Sequence, residues 1–332
     1  MTTGLNTGKN RKKILIVGRM PQAGLDALKK RDDVDWEILT NDTVPSLHPK
    51  LKDANAVTVG ATLFRQAELD AAPGMMVFAR LGVGFDAVEI PALNKRKIPL
   101  MTTGIANSVS VAEHAMYLLL ASARLNRKMD RFVRENAWGQ RLSDLPSDVA
   151  GKSILVVGMG RIGSRTVKRA VAFEMDTYVI DPNISAAEIE KAGAKKVTDL
   201  KAILPKVDFV SIHCPRMPET INMFNAETIG LMKKEAFLVN TARGGIINED
   251  ALYDALKSGV IKAAGIDVLD KEPPTEVHKL CSLPNIIMAP HMAGVTVESS
   301  ARMAQATVQN VLDVFDGKPD PNNVVNKEVL KR

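Results

Sequence analysis

The sequence predicts an α/β chain of two successive doubly wound domains, each built on a parallel sheet, and three observations carry that expectation. Short apolar runs alternate with amphipathic segments rich in Ala, Leu and Lys, the pattern of strands covered on both faces by crossover helices. The run Ile154-Leu-Val-Val157 ends in Gly158-Met-Gly160-Arg-Ile-Gly163, a G-x-G-x-x-G set at the carboxyl end of a strand. Asp181 follows 18 positions after Gly163, at the end of a second apolar run.

The elements follow in order. The first domain begins at Lys13-Ile-Leu-Ile-Val-Gly18 and continues through Trp36-Glu-Ile-Leu39, Ala56-Val-Thr-Val59, Met76-Val-Phe-Ala79 and Ile98-Pro-Leu-Met101. A long helix over Ser108–Arg124 has a serine cap candidate and few breakers, and leads to the second domain. This helix is apolar on most faces, so a single copy is expected to leave part of it uncovered and a second copy to pack there. Six strands are expected after Ser153, near 154–157, 177–180, 207–212, 236–239, 262–268 and 285–288. A last helix near Val297–Phe315, stopped by Gly317-Lys-Pro319, returns the chain to the first domain. That makes the first domain discontinuous (1–107 and 296–332) around a second of 108–295, with a cleft between them.

Composition removes several classes. The 332 residues are 45% hydrophobic and 25% charged, ordinary for a globular protein with two cores. Aromatics are only 4%, so aliphatic side chains and Met must fill the interior. The formal charge of +6 is spread widely, with one dense cluster at Lys9, Arg11, Lys12 and Lys13, so no nucleic-acid partner is expected. Cys214 and Cys281 are the only cysteines and lack C-x-x-C spacing, so neither a metal site nor a disulfide is expected and a reducing cytoplasm fits. Residues 1–10 have no apolar core of a signal peptide. No apolar run reaches the ~20 residues of a membrane span, residues 115–123 coming nearest.

The glycines define a binding function. Gly158 permits a tight turn, Gly160 lets backbone approach a pyrophosphate, and Gly163 lets the helix pack on its strand. The helix amino terminus offers N–H groups and a positive dipole end to phosphates. Asp181 suits both ribose hydroxyls and repels a 2′-phosphate, which points to NAD rather than NADP.

Ligands of open α/β sheets sit outside the carboxyl ends of the strands. There the second domain carries Arg243 in Asn240-Thr-Ala-Arg243-Gly-Gly, Asp267, Glu272 before two prolines, His291 in Pro290-His291-Met-Ala-Gly294, and His213-Cys214-Pro215. An arginine can hold a carboxylate through two parallel N–H bonds and polarise a neighbouring carbonyl. A histidine can take and return a hydroxyl proton near neutrality. A carboxylate on its other ring nitrogen fixes the tautomer and raises its pKa. Plainer readings compete, with Arg243 as a turn arginine and Glu272 as a solvated side chain. His48, His114 and His278 read as structural or solvated, and His213 stands as a rival to His291 by position.

These motifs together resemble the D-isomer-specific 2-hydroxyacid dehydrogenase family, and look most like its D-3-phosphoglycerate dehydrogenase branch. The likeness runs from about residue 12 to 326. It rests on Gly82-Val-Gly84-Phe-Asp86, Asn107-Ser-Val-Ser-Val-Ala-Glu113, the glycine set, Val239-Asn-Thr-Ala-Arg-Gly-Gly245, Gly265-Ile-Asp-Val268 through Glu272-Pro273, and Pro290-His291. The resemblance implies a flavodoxin-like substrate domain and a Rossmann NAD-binding domain. It puts the catalytic set on Arg243, Glu272 and His291, favouring His291 over His213. It implies cofactor contacts from Gly158, Gly160, Arg161, Ile162, Gly163, Asp181, Cys214, Thr241, Ala242, Asp267 and Gly294. Substrate contacts fall on Arg80, Val83 and Gly84, and the family's dimers are joined through the helix near 108–124.

The chain departs from that branch in places. Val59-Gly60 precede Ala61-Thr62 where phosphoglycerate dehydrogenases carry an arginine and a serine, and that arginine anchors the substrate phosphate. Arg141 stands one position off the partner-supplied arginine that follows Trp138 in some relatives. The chain ends soon after Asn326, so no serine-sensing domain is expected. The expected activity is NAD-dependent interconversion of a small anionic 2-hydroxy acid and its 2-oxo acid, with 3-phosphoglycerate, hydroxypyruvate or glyoxylate as candidates. An NAD-sensing protein resembling the C-terminal-binding corepressors is the alternative, and a formate dehydrogenase lacks the acid matched by Glu272.

Overall fold

The computed structural model describes residues 11–60 and 62–331; residues 1–10, with Lys9 of the basic cluster, and Ala61 and Arg332 lie outside the described residues. The chain divides into two compact units, one of Met1–Asn107 with Val295–Arg332 and one of Ser108–Gly294.

Unit one holds five parallel strands: β1 (Lys12–Val17), β2 (Val34–Leu39), β3 (Ala56–Val59), β4 (Val77–Arg80) and β5 (Leu100–Met101), in the order β2-β1-β3-β4-β5. Successive side chains point to opposite faces, so each strand feeds two cores. Leu15, Val17, Val57, Val59 and Phe78 pack on one face. Ile14, Ile16, Ala56, Val77 and Ala79 pack on the other, against Ala304, Val308 and Val311 of the helix Val297–Phe315. That helix starts at a capping box, in which the Ser299 N–H donates to Thr296 Oγ1 at 3.0 Å and the Thr296 N–H to Ser299 Oγ at 2.8 Å.

Unit two holds seven parallel strands: β6 (Ser153–Val157), β7 (Asp176–Ile180), β8 (Lys195–Lys196), β9 (Phe209–Ile212), β10 (Phe237–Asn240), β11 (Ala263–Ile266) and β12 (Ile286–Met288). Their order is β12-β11-β10-β9-β6-β7-β8, reversing direction at β6 and β9. The sequence predicts six strands here, and the seventh, β8, is missed for a physical reason. It is a two-residue edge pairing through Lys195 and Lys196 with no apolar pattern to reveal it. The expected span 262–268 is also too long, since β11 runs only from Ala263 to Ile266.

The helix Ser108–Ala123 covers one face of this sheet. Leu118 and Leu119 pack with Ile154, Val156, Phe237 and Val239. A β-carbon on Gly265 would lie 2.8 Å from Leu118 Cβ, so glycine there admits the helix. Eleven of its 16 residues are buried within the single chain. Val109 and Tyr117 stay exposed. Among the described residues no helix is long and apolar enough to cross a membrane.

Candidate active site

The glycine turn after β6 is built as its spacing demands. Gly158 has φ +89°, and a β-carbon on it would come within 2.9 Å of the Cys214 nitrogen. A β-carbon on Gly163 would lie 1.9 Å from the Gly158 carbonyl oxygen, so the helix Gly163–Ala172 can only start here with glycine. At Gly160 a β-carbon would meet no protein atom within 4 Å. Two of the glycines are thus demanded by protein packing, and the third faces open space. Ile162, at the N-cap of this helix, adds no side-chain cap, and the Asp181 carboxylate accepts the N–H of Met159 at 2.7 Å and of Asn183 at 2.8 Å. The ribose-type acid is therefore tied directly to the glycine turn.

Neighbouring strand ends add buried polar atoms that lack a hydrogen-bond partner, Thr241 Oγ1 after β10 and His213 Nδ1 after β9. Space at Gly160, an acid beside the turn and these two atoms fit a bound dinucleotide. Cys214 lies among them; burial pushes its thiol up to about 11, which makes it an uncharged packing group. Ala242 lies in the turn after Thr241, its N–H held by Asn240 Oδ1 at 2.9 Å, and Gly294 is half-buried beyond His291.

Arg243, Glu272 and His291 are brought together at this edge. The Asn240 side chain also donates to the Arg243 carbonyl at 2.8 Å, folding the turn back on β10. A β-carbon on Gly244 would sit 2.0 Å from the Leu269 carbonyl oxygen. Glycine is what lets the arginine turn press against the segment leading to Glu272. Glu272 Oε1 accepts the Leu269 N–H at 2.7 Å, and its Oε2 lies 2.5 Å from His291 Nδ1. The bond to Glu272 raises the His291 pKa above its ordinary value, against burial and the Arg243 charge. Burial works to raise the Glu272 carboxyl, but the bonds from His291 and the Leu269 amide outweigh it and leave it lowered. Arg243 acts on both groups by charge, so the three form one electrostatic cluster.

Asp267 follows β11 and is only 1% exposed. Burial raises its pKa, opposed by the N–H groups of Ala293 and Met292, and its carbonyl accepts the His291 N–H at 2.8 Å. His213 stands apart from the cluster: its Nε2 meets Ser211 Oγ at 2.8 Å, and burial pushes it down to about 4, leaving it neutral at pH 7. His48 lies in the helix Val44–Leu51, 3.3 Å from Glu68. His278 caps the short helix Lys279–Ser282. His114, read from sequence as structural or solvated, has Nε2 3.8 Å from Asp267 Oδ1. Sequence reasoning also missed Asn240 and Gly244 as builders of the arginine turn; their place directly after a buried strand was the available signal.

In unit one, Arg80 Nε donates to the Gly84 carbonyl at 2.7 Å, which ties the end of β4 to the loop carrying Val83. Arg141 is exposed after the turn Trp138–Gln140.

Residues 116–293 match the family model described as D-isomer specific 2-hydroxyacid dehydrogenase, NAD binding domain. The chain belongs to this family. It is 34% identical to a glyoxylate reductase of Korarchaeum cryptofilum, covering 96% of this chain and 97% of that one. It is 33% identical to a D-3-phosphoglycerate dehydrogenase of Archaeoglobus fulgidus across 94% of this chain, but spans only 59% of that relative's length. Among solved structures, the TT0316 protein of Thermus thermophilus superposes with a TM-score of 0.86 at 31% identity, covering 94% of this chain and 99% of that one. An NADPH-dependent glyoxylate/hydroxypyruvate reductase of Sinorhizobium meliloti, solved with NADP and malonate, gives a TM-score of 0.84 at 25% identity over 96% and 98%. NAD is the cofactor of the matched family domain.

Proposed function

We propose that this chain is an NAD-dependent D-2-hydroxyacid dehydrogenase that interconverts a small anionic 2-hydroxy acid with its 2-oxo acid. The observation that carries the reading is the 2.5 Å pair of His291 and Glu272 with Arg243 beside it, at the carboxyl edge of a family-matched NAD-binding domain. Residues 108–294 bind the cofactor and residues 1–107 with 295–332 bind substrate. The glycine turn, Arg161, Ile162 and Asp181 hold the pyrophosphate and ribose, and Cys214, Thr241, Ala242, Asp267 and Gly294 line the rest. Bound NAD supplies the acceptor for the hydride that leaves carbon 2 of the hydroxy acid.

His291 Nε2 takes the hydroxyl proton in oxidation and returns it in reduction. Glu272 on Nδ1 steadies the charged ring, which favours the acid form needed for reduction. Arg243 binds the carboxylate and stabilises negative charge growing on the carbonyl oxygen. Val83 and Gly84 offer N–H groups to the carboxylate, on a loop held by Arg80.

A non-phosphorylated acid such as glyoxylate or hydroxypyruvate fits better than 3-phosphoglycerate. Val59-Gly60 replace the phosphate-anchoring arginine, and in the same loop Thr62 donates to the Asp42 carboxylate at 2.7 Å, which places negative charge there. The protein acts in the cytoplasm as a homodimer paired through the helix Ser108–Ala123. Exposed Tyr117, with Val133, Trp138, Leu142 and Leu145 on the segment that follows, supports the pairing.

The test is NADH oxidation against a panel of 2-oxo acids with and without phosphate groups. We expect turnover with glyoxylate or hydroxypyruvate and a lower kcat/KM for phosphohydroxypyruvate. Tight NADH binding with no turnover on any acid would overturn the enzyme reading in favour of a sensor.

A further inference from the structure

His291 carries the left-handed backbone conformation, uncommon outside glycine, with φ +56°. Such a conformation persists where its surroundings hold it in place. The backbone bonds around it converge on one residue. Asp267 accepts three successive backbone N–H groups: its carbonyl takes that of His291 at 2.8 Å, Oδ1 that of Met292 at 2.8 Å and Oδ2 that of Ala293 at 2.9 Å. The carboxylate is buried, and a buried carboxylate with only two amide donors is costly unless a further donor or positive charge stands near.

One such group stands behind it. His114, on the helix Ser108–Ala123, has Nε2 3.8 Å from Asp267 Oδ1, inside ion-pair reach and beyond a direct hydrogen bond. That nitrogen is buried and has no hydrogen-bond partner, so its polar capacity is directed at nothing else. The ring leans on Tyr117, with centroids 5.5 Å apart. Asp267 also faces His291 itself, which in turn faces Glu272 and Arg243.

We propose that His114 is a positioning residue for His291: it fixes the Asp267 carboxylate that gathers the Met292 and Ala293 amides, and through them holds the left-handed turn that presents His291 to Glu272. The catalytic consequence rests on the proton-transfer reading above, whereas the positioning does not.

Two variants of the full chain separate packing from polar contact. His114→Phe keeps a ring against Tyr117 and removes the nitrogen, while His114→Gln gives up the ring and keeps an N–H donor. Hydrogen exchange at Met292 and Ala293 is measured against that of β11, alongside kcat, KM and NADH affinity. In His114→Phe the two amides should exchange ~10-fold faster while β11 is unchanged, and kcat should fall ~10-fold with KM and NADH affinity within about twofold. His114→Gln should restore most of both. Unchanged exchange in His114→Phe, or equal acceleration in the two variants, overturns the positioning role. If exchange responds as expected and kcat does not, the positioning stands and the assignment of proton transfer to His291 fails. Should His114→Phe not fold, His114→Gln alone decides, since faster exchange at both amides with the donor present contradicts the proposal.

Discussion

Replacing Glu272 with Gln removes one charge and leaves the side-chain length and an acceptor oxygen in place. In the parent, the carboxylate bond to His291 raises the imidazole pKa and lowers that of the carboxyl. A hydrogen bond to a charged group contributes about 1.5–3 kcal/mol when well shielded. These side chains are 50% and 31% exposed, so solvent screening reduces the pair to about 1 kcal/mol. The raised imidazole contributes fully below its unfolded pKa, and that contribution is lost as pH rises through the folded value. The lowered carboxyl contributes above its unfolded pKa and is lost as pH falls through its folded value. The pair therefore stabilises the fold in the window between those two folded values, and Glu272→Gln should cost about 1 kcal/mol there and progressively less on the alkaline side. In reduction, where His291 must be charged, the pH–kcat curve should move its falling limb toward acid. The assays are urea unfolding as a function of pH and kcat for glyoxylate reduction from about pH 5 to 9. A limb that stays in place, or moves toward alkali, would refute the reasoning.

The glycine turn supplies two contrasting expectations. Gly163→Ala sets a β-carbon against the Gly158 carbonyl and should cost about 1–3 kcal/mol of stability along with NADH binding, read by thermal unfolding and fluorescence titration. Gly160→Ala projects into open space, so Tm should hold while NADH affinity falls ~10-fold, and a fall in Tm instead would place protein where we place cofactor. Asp181→Ala should narrow the preference for NADH over NADPH and also weaken NADH binding, because Met159 loses its 2.7 Å acceptor; an unchanged ratio of the two Kd values contradicts the ribose role.

Much of the second unit was readable because its signals are local. Ile154–Val157 must be a buried strand, and Gly158, Gly160 and Gly163 leave few alternatives to a turn opening a helix. What stayed hidden depends on distant pairing. Lys195 and Lys196 form a strand only because β7 offers an unpaired edge. Residue types could nominate both His213 and His291, and no local feature tells a histidine whose burial lowers its pKa from one paired with a carboxylate 19 residues earlier. His114 looked like an incidental polar residue on an apolar helix because its partner Asp267 is 153 positions away in sequence.

The central claim is that His291 transfers the proton without holding the cofactor. His291→Asn keeps a polar atom near the place of Nδ1, lacks the Nε2 that exchanges the proton, and cannot become charged. NADH affinity by fluorescence titration should stay within about twofold of the parent, while turnover with the best 2-oxo acid should fall by ~10²–10⁴. Turnover near that of the parent at unchanged NADH affinity would contradict the account.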